Sequence, residues 1–259
     1  MKHFVYGDRY RIFLNTALGC PARCQYCYLP GMGLGHAPKY ISAEDTLAML
    51  KQLDVFIPGP QGTIFSLGCY SECWDDQNKP ETIKLLSYLS IYGNYIQLAT
   101  KQMISKEELN IIDSLALYPG QIGIYLSIPT LSRSEELEPG TALPQERLAP
   151  LKWKEEFENI YFILYIKPVI PSITLDDGAI YGHLMKIYQL STVVGPLLAK
   201  GTGNTLVGEG DLKEISSDES GSLRNMLEQY GSVYTHSTQI IDNLRAQKLT
   251  FLGGDCHEK

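Results

Sequence analysis

The chain has 259 residues with 44% hydrophobic content, enough to bury a sizeable core in one large domain or two small ones, which excludes global disorder. Its 22 Lys plus Arg stand against 29 Asp plus Glu, a formal net charge of −7, the wrong sign for attraction to nucleic acid or an anionic bilayer unless a local basic groove overcomes it. No stretch approaches the roughly 20 apolar residues of a membrane span, and the opening MKHFVYGDRYRIF lacks the apolar core and cleavage site of a secretory signal, so a cytoplasmic protein is expected.

The first strand-like run is Tyr10–Asn15, followed by a loop holding three cysteines. In SAEDTLAMLKQL, Ser42 is placed to cap a helix with Asp45 three residues on. Thr63–Leu67 is the second strand, PETIKLLSYLSIY a helix with Pro80 in its first turn, and Tyr95–Ala99 the third strand. SKEELNIIDSLAL repeats the capping device with Ser105 and Glu108. Gln121–Leu126 and Tyr161–Ile166 follow as strands, with a helix expected between them over Pro144–Phe157, and Val194–Ala199 is the sixth strand. This alternation predicts an α/β fold of about six βα units. A partial (β/α)6 TIM-like barrel over residues 1–200 fits, because a full eight-unit barrel typically needs roughly 250 residues; an open doubly wound sheet is the competing architecture. The Gly-, Ser- and acid-rich run from Lys200 to Ser222 reads as a loop or lid. Helical stretches at Ser222–Tyr230 and Thr238–Lys248 then make residues 201–259 a short C-terminal cap on the same domain.

In a reducing compartment the six cysteines are not expected to form a disulfide framework. Cys20, Cys24 and Cys27 crowd into GCPARCQYCYLP on the loop after the first strand, the edge where α/β folds bind ligands. Structural zinc and ordinary [4Fe-4S] sites prefer four protein ligands. A cluster held by three leaves one iron open to chelate the amino and carboxylate groups of S-adenosylmethionine (SAM) and present its sulfonium for reductive cleavage. A zinc knuckle is the bland alternative.

With Tyr26 and Tyr28 flanking the third cysteine, this segment resembles the radical SAM superfamily, and in particular its spore photoproduct lyase branch. The resemblance spans about residues 10 to 175 and includes Lys101 in LATK, Ser127 in LSIPT, and LEPGTALPQERL from Leu137 to Leu148. It implies a [4Fe-4S] cluster on Cys20, Cys24 and Cys27, and SAM contacts from Ser71, Lys101 and Ser127, with Tyr28 against the adenosine. It also implies a partner that donates electrons, such as flavodoxin or ferredoxin. Cys69, in FSLGCYSECWDD, looks like the cysteine that returns a hydrogen atom to the product radical, with Tyr26 and Tyr28 as relays. A thiol suits that task because its S–H bond is weaker than most C–H bonds. Cys73 and Cys256 depart from the family pattern: either is an alternative donor, and with Cys69 they are candidates for a second cluster. Trp74, Asp75 and Asp76 are candidates to line a polar substrate pocket.

The lyase itself binds DNA, which needs several phosphate contacts. Here the late cations Lys200, Lys213, Arg224, Arg245, Lys248 and Lys259 are scattered. Abundant acid and 17 tyrosines favour a hydroxylated or cationic small molecule or a peptide, processed by an epimerase, lyase or rearrangement reaction. Photoproduct repair on DNA is the alternative.

Overall fold

The computed structural model describes residues 3–200, 212–214 and 218–253. The chain opens with a hairpin of β1 (Val5–Gly7) and β2 (Arg11–Leu14). Asp8 builds its turn, the carboxylate accepting the backbone N–H groups of Tyr10 and Arg11 at 2.8 and 2.9 Å. β3 (Ala17–Leu18) leads into the cysteine loop and β4 (Lys39–Tyr40) returns from it, pairing antiparallel. Then come α1 (Ala43–Lys51), β5 (Ile64–Leu67), α2 (Lys79–Ser90), β6 (Ile96–Thr100), α3 (Lys106–Leu115) and β7 (Ile122–Ser127). Two short helices, α4 (Ser134–Leu137) and α5 (Pro144–Leu148), precede β8 (Ile160–Ile166), α6 (Gly178–Tyr188) and β9 (Ser191–Val194). The remaining elements are β10 (Leu198–Lys200), β11 (Leu212–Glu214), α7 (Glu219–Leu227), β12 (Val233–Tyr234) and α8 (Thr238–Gly253).

One eight-stranded sheet runs β1-β2-β5-β6-β7-β8-β9-β12, parallel throughout except for β1. From β2 onward the strands lie in sequence order. A doubly wound sheet reverses its order at a switch point, so this topology removes that competitor. Right-handed crossovers that always step the same way place their helices on one face of the sheet.

Period-two alternation gives the two faces different work. Phe65, Leu67, Leu98, Ile124, Leu126 and Leu164 join the main core with Leu50, Leu86, Leu89, Leu109 and Ile112 of α1 to α3. The other face carries Ile64, Tyr95, Tyr125 and Ile163, and α8 covers its lower half through Ile240, Ile241 and Leu244. Arg245 of α8 is latched by Nε donating to the Pro60 carbonyl at 2.9 Å and Nη2 to that of Gly62 at 2.5 Å.

Both helix caps form as the sequence predicts. Ser42 Oγ accepts the Asp45 N–H at 3.0 Å, and Ser105 and Glu108 exchange hydrogen bonds in a capping box. Two expectations need correction, and one helix had no expectation from sequence. The helix expected over Pro144–Phe157 stops at Leu148 and continues as 3-10 turns to Glu156, because Pro150 has no N–H to donate and its ring opposes α-helical geometry. The sixth strand ends at Val194, ahead of Pro196, rather than beginning there. Helix α6 was hidden by Gly178 and Gly182, which serve close packing: a Cβ on Gly182 would sit 2.4 Å from the Tyr230 ring. The lid expected over Lys200–Ser222 falls largely outside the described residues. Among the described residues no helix is long and apolar enough to cross a membrane.

Candidate active site

The ends of the parallel strands converge on a cavity of about 1200 Å³, counting the solvent at its open mouth. Cys20, Cys24, Tyr26, Cys27 and Tyr28 line it from the loop beyond β2. Cys69 and Ser71 reach it after β5, Lys101 after β6, and Ser127 ends β7. Nine residues singled out from sequence thus share one space. Cys256 lies outside the described residues. Cys73 does not line the cavity; it is buried, its thiol donating to the Ala99 carbonyl at 3.3 Å. Trp74, Asp75 and Asp76 are not pocket residues either. Trp74 is core, its indole N–H donating to Glu108 at 3.1 Å, and Asp75 braces its own turn by accepting from the N–H groups of Gln77 and Asn78.

The cysteine loop is held from three sides. Gly19 N–H donates to the Tyr70 carbonyl at 2.9 Å, tying it to the Cys69 loop, and Cys20 N–H donates to the Gly35 carbonyl at 3.1 Å. Gln25 N–H donates to the Leu137 carbonyl at 2.9 Å. Gly140 N–H donates to the Ala22 carbonyl at 3.0 Å, and a Cβ there would come within 2.7 Å of the Ala22 backbone, so the glycine of LEPGT permits this approach. Arg23, at the loop's tip, takes a left-handed φ of 55°, a conformation non-glycine residues adopt mainly where surrounding contacts enforce it. On the facing loop Gly68 has φ +85°, and a Cβ would meet the Ala99 carbonyl oxygen at 2.3 Å. Tyr28 OH donates to the Cys69 carbonyl at 3.0 Å, and both residues pack with Cys20, Cys27 and Tyr70 in one small apolar cluster.

Burial pushes the Cys20 thiol up to about 12 and Cys24 to about 11, and raises Cys27 as well; the ammonium of Lys101 acts in the opposite sense at Cys24 and Cys27. Among the described residues no three His, Cys, Asp or Glu side chains are grouped to hold a single metal ion. A zinc knuckle needs its sulfurs about 2.3 Å from one centre, whereas thiolates on a cluster each meet a different iron and need not converge on one point. The donor set, three thiols and no fourth cysteine on one loop at a cavity wall, therefore fits a cluster with an open corner.

Beside the thiols lies a charged network that joins Lys101, Ser127 and Tyr26 to three residues with no role assigned from sequence, Glu138, Arg147 and Glu72. Glu138, with its side chain fully buried, pairs with Arg147 Nη1 at 2.8 Å and with Lys101 Nζ at 3.6 Å, and accepts the Tyr26 hydroxyl. Arg147 is also buried, donating to the carbonyls of Ser127 at 2.9 Å and Ala142 at 2.7 Å. Lys101 Nζ donates to Ser127 Oγ at 2.5 Å. Glu72 is buried too: it accepts from Thr100 Oγ1 at 2.5 Å, Trp74 N–H at 3.0 Å and Lys101 N–H at 2.8 Å, and burial raises its pKa. The signal for Glu138 and Arg147 was present in the LEPGTALPQERL stretch, where a Glu and an Arg stand nine residues apart across a Gly-bearing turn. Ser71 Oγ accepts only a long bond from Asn78 Nδ2, 3.4 Å.

No protein-family model and no curated protein matches the chain. Solved structures do. A cysteine-to-serine mutant of spore photoproduct lyase superposes with a TM-score of 0.65 at 15% identity, over 86% of this chain and 75% of that one. Streptococcus suis SuiB bound to S-adenosylmethionine matches with a TM-score of 0.56 at 16% identity over 92% of this chain, and SuiB bound to its precursor peptide SuiA with 0.58 at 15% over 91%. Both are radical SAM enzymes. The chain has the radical SAM fold. It spans about half the length of SuiB, 49% and 52% in the two complexes. The chain carries its cysteine triplet on the loop beyond β2, at the wall of this cavity.

Proposed function

We propose that this protein is a radical SAM enzyme, with its sheet curved as a partial (β/α)6 barrel and residues 201–259 as a cap, acting on a small molecule or peptide in the cytoplasm. The observation that carries the reading is the shared cavity: three half-buried thiols, Lys101, Ser127 and Cys69 line one space at the strand ends of this fold. Cys20, Cys24 and Cys27 would hold a [4Fe-4S] cluster, and Ser71, Lys101, Ser127 and Tyr28 would contact SAM. Bound together and reduced by a donor such as flavodoxin or ferredoxin, these groups supply a 5'-deoxyadenosyl radical that removes a hydrogen atom from an unactivated carbon.

The chain's own residues handle the rest. Lys101 brings a positive charge to the SAM carboxylate, and its bonds to Ser127 and Glu138 keep the ammonium from wandering. Glu138 and Arg147 fix the wall behind it. Cys69 returns a hydrogen atom, its S–H bond breaking as the product C–H bond forms; Tyr28, whose hydroxyl donates to the Cys69 carbonyl, would pass its O–H hydrogen to the remaining thiyl sulfur, and an electron from the external donor with a proton from solvent would restore the tyrosine. Return to the opposite face gives an epimer; return after a bond has broken or migrated gives a lyase or rearrangement product. SuiB's peptide complex supports a peptide substrate, and the likeness to spore photoproduct lyase supports DNA photoproduct cleavage as the second reading.

Anaerobic reconstitution with iron and sulfide, then reduction with dithionite in the presence of SAM, tests the reading. Release of 5'-deoxyadenosine is expected. A colourless protein that leaves SAM whole refutes it. A panel of peptides, aminoglycosides and irradiated oligonucleotides then separates the two substrate classes, with turnover on the oligonucleotides alone selecting DNA repair.

A further inference from the structure

The charge on the cavity wall opposes the charge on the molecule. The net formal charge is −7, yet the ionised groups that line the cavity, thiols aside, are Arg11, Lys101 and Lys167 against the single carboxylate of Glu72. Glu72 is spent on Thr100, Trp74 and Lys101, and Lys101 on Ser127 and Glu138. Arg11 and Lys167 are different. Both are partly buried, and among the described residues neither joins an ion pair.

Both cations are also braced. Arg11 sits 4.3 Å over the Phe13 ring and donates from Nε to Ser66 Oγ at 2.7 Å. The Ser66 hydroxyl donates in turn to Gln97 Oε1 at 2.9 Å, and Gln97 Nε2 donates to Tyr125 OH at 2.8 Å. This chain of bonds across β2, β5, β6 and β7 fixes Ser66 as an acceptor for Arg11. It uses one of the five guanidinium donors, and among the described residues no other Arg11 side-chain donor is engaged. The Lys167 stem lies against Gly195, where a Cβ would come within 2.9 Å of Lys167 Cδ. The charges of both cations also reach His236: partial burial of its ring, then Arg11 and Lys167, push its pKa down to about 4, while Asp242 acts in the opposite sense.

Holding two partly desolvated cations outside any ion pair formed among the described residues is costly, and an incoming anion with matching hydrogen-bond acceptors offsets that cost. We infer that Arg11 and Lys167, both lining this cavity, form an anion subsite, and that the substrate carries a carboxylate or a phosphate group there. The inference rests on the proposal that this cavity is the substrate site. It reverses the cationic substrate that whole-chain composition favours, because the field a ligand meets in a cleft is set by the groups lining it and not by the surface average.

The test uses the reconstituted, SAM-loaded protein in low-salt buffer, titrated calorimetrically with inorganic phosphate, succinate and neutral succinamide. At least one anion is expected to bind, and succinamide not to. Affinity should fall about tenfold or more in the Arg11→Gln, Lys167→Gln double variant, equivalent to losing at least one close charge pair. The charge-preserving Lys167→Arg variant should retain it. Phosphate preferred over succinate makes the group a phosphate ester; the reverse order makes it a carboxylate. If the double variant does not fold, Lys167→Gln alone decides. The inference is overturned if neither anion binds the wild type, if succinamide binds as well as succinate, or if the variant binds undiminished. Failure here with SAM still fragmented by the wild type removes the subsite alone, whereas loss of SAM fragmentation removes the enzyme reading itself.

Discussion

Cys69 and Arg147 do opposite kinds of work, and substitution separates them. Cys69 lines the cavity beside Tyr28 but takes no part in the wall of ion pairs around Lys101. Cys69→Ala should therefore leave SAM cleavage intact while product formation stalls or diverts. Unchanged turnover to the same product would take Cys69 out of the mechanism. Arg147→Met instead leaves the buried Glu138 carboxylate with the Tyr26 hydroxyl and only the longer charge contact to Lys101, and breaking a buried pair from one side costs about 3–5 kcal/mol. Urea denaturation should show that loss; a change below about 1 kcal/mol would mean that the pair is effectively solvated. The thiols were legible from sequence because three cysteines crowded into one eight-residue loop make a poor core segment and a good set of metal-cluster ligands. Glu138 and Arg147 were legible only as part of the LEPGTALPQERL resemblance and not as a buried pair, because a Glu or Arg reads as surface until the fold shows both side chains sealed from water.

At the scale of elements, local chemistry was legible where one residue type has one backbone use. Ser42 and Ser105 cap their helices because a short side-chain oxygen can reach the free N–H groups of a first turn. Tertiary packing decided the elements that went astray: α6 forms through two glycines because Met226 and Tyr230 need the space a Cβ would take. Gly140 is the same device at the active site. Gly140→Ala would drive a methyl group to 2.7 Å from the Ala22 backbone and displace the cysteine loop, while the core helices and sheet lie elsewhere. The expected outcome is reduced iron and sulfide per chain after reconstitution, with the circular dichroism spectrum preserved. Full cluster content would show that the loop accommodates the methyl and that the close approach is incidental.

For the whole molecule, the issue is whether the C-terminal helix is a detachable cap or part of one cooperative unit. Composition and the loosened pattern after Lys200 favour a cap packed on a finished domain. The packing argues for more. Ile241 of α8 is fully buried against Ile64 and Tyr95, Asp242 accepts the Tyr10 hydroxyl at 2.6 Å, and Ser237 accepts from Gln97 at 2.9 Å beside the cavity. A sheet face stripped of that helix would expose apolar and aromatic side chains on its lower half. Ile241→Ala should cost about 2–5 kcal/mol. Both tryptophans, Trp74 and Trp153, belong to the core formed by the preceding βα units, so their fluorescence reports on the part of the molecule that does not contain α8. If the chain unfolds as one unit, the substitution shifts the fluorescence midpoint and the far-ultraviolet dichroism midpoint together, because destabilising any part of a cooperative structure destabilises the whole. A fluorescence transition that stays in place while part of the dichroism signal moves to lower denaturant would identify α8 as an independent cap.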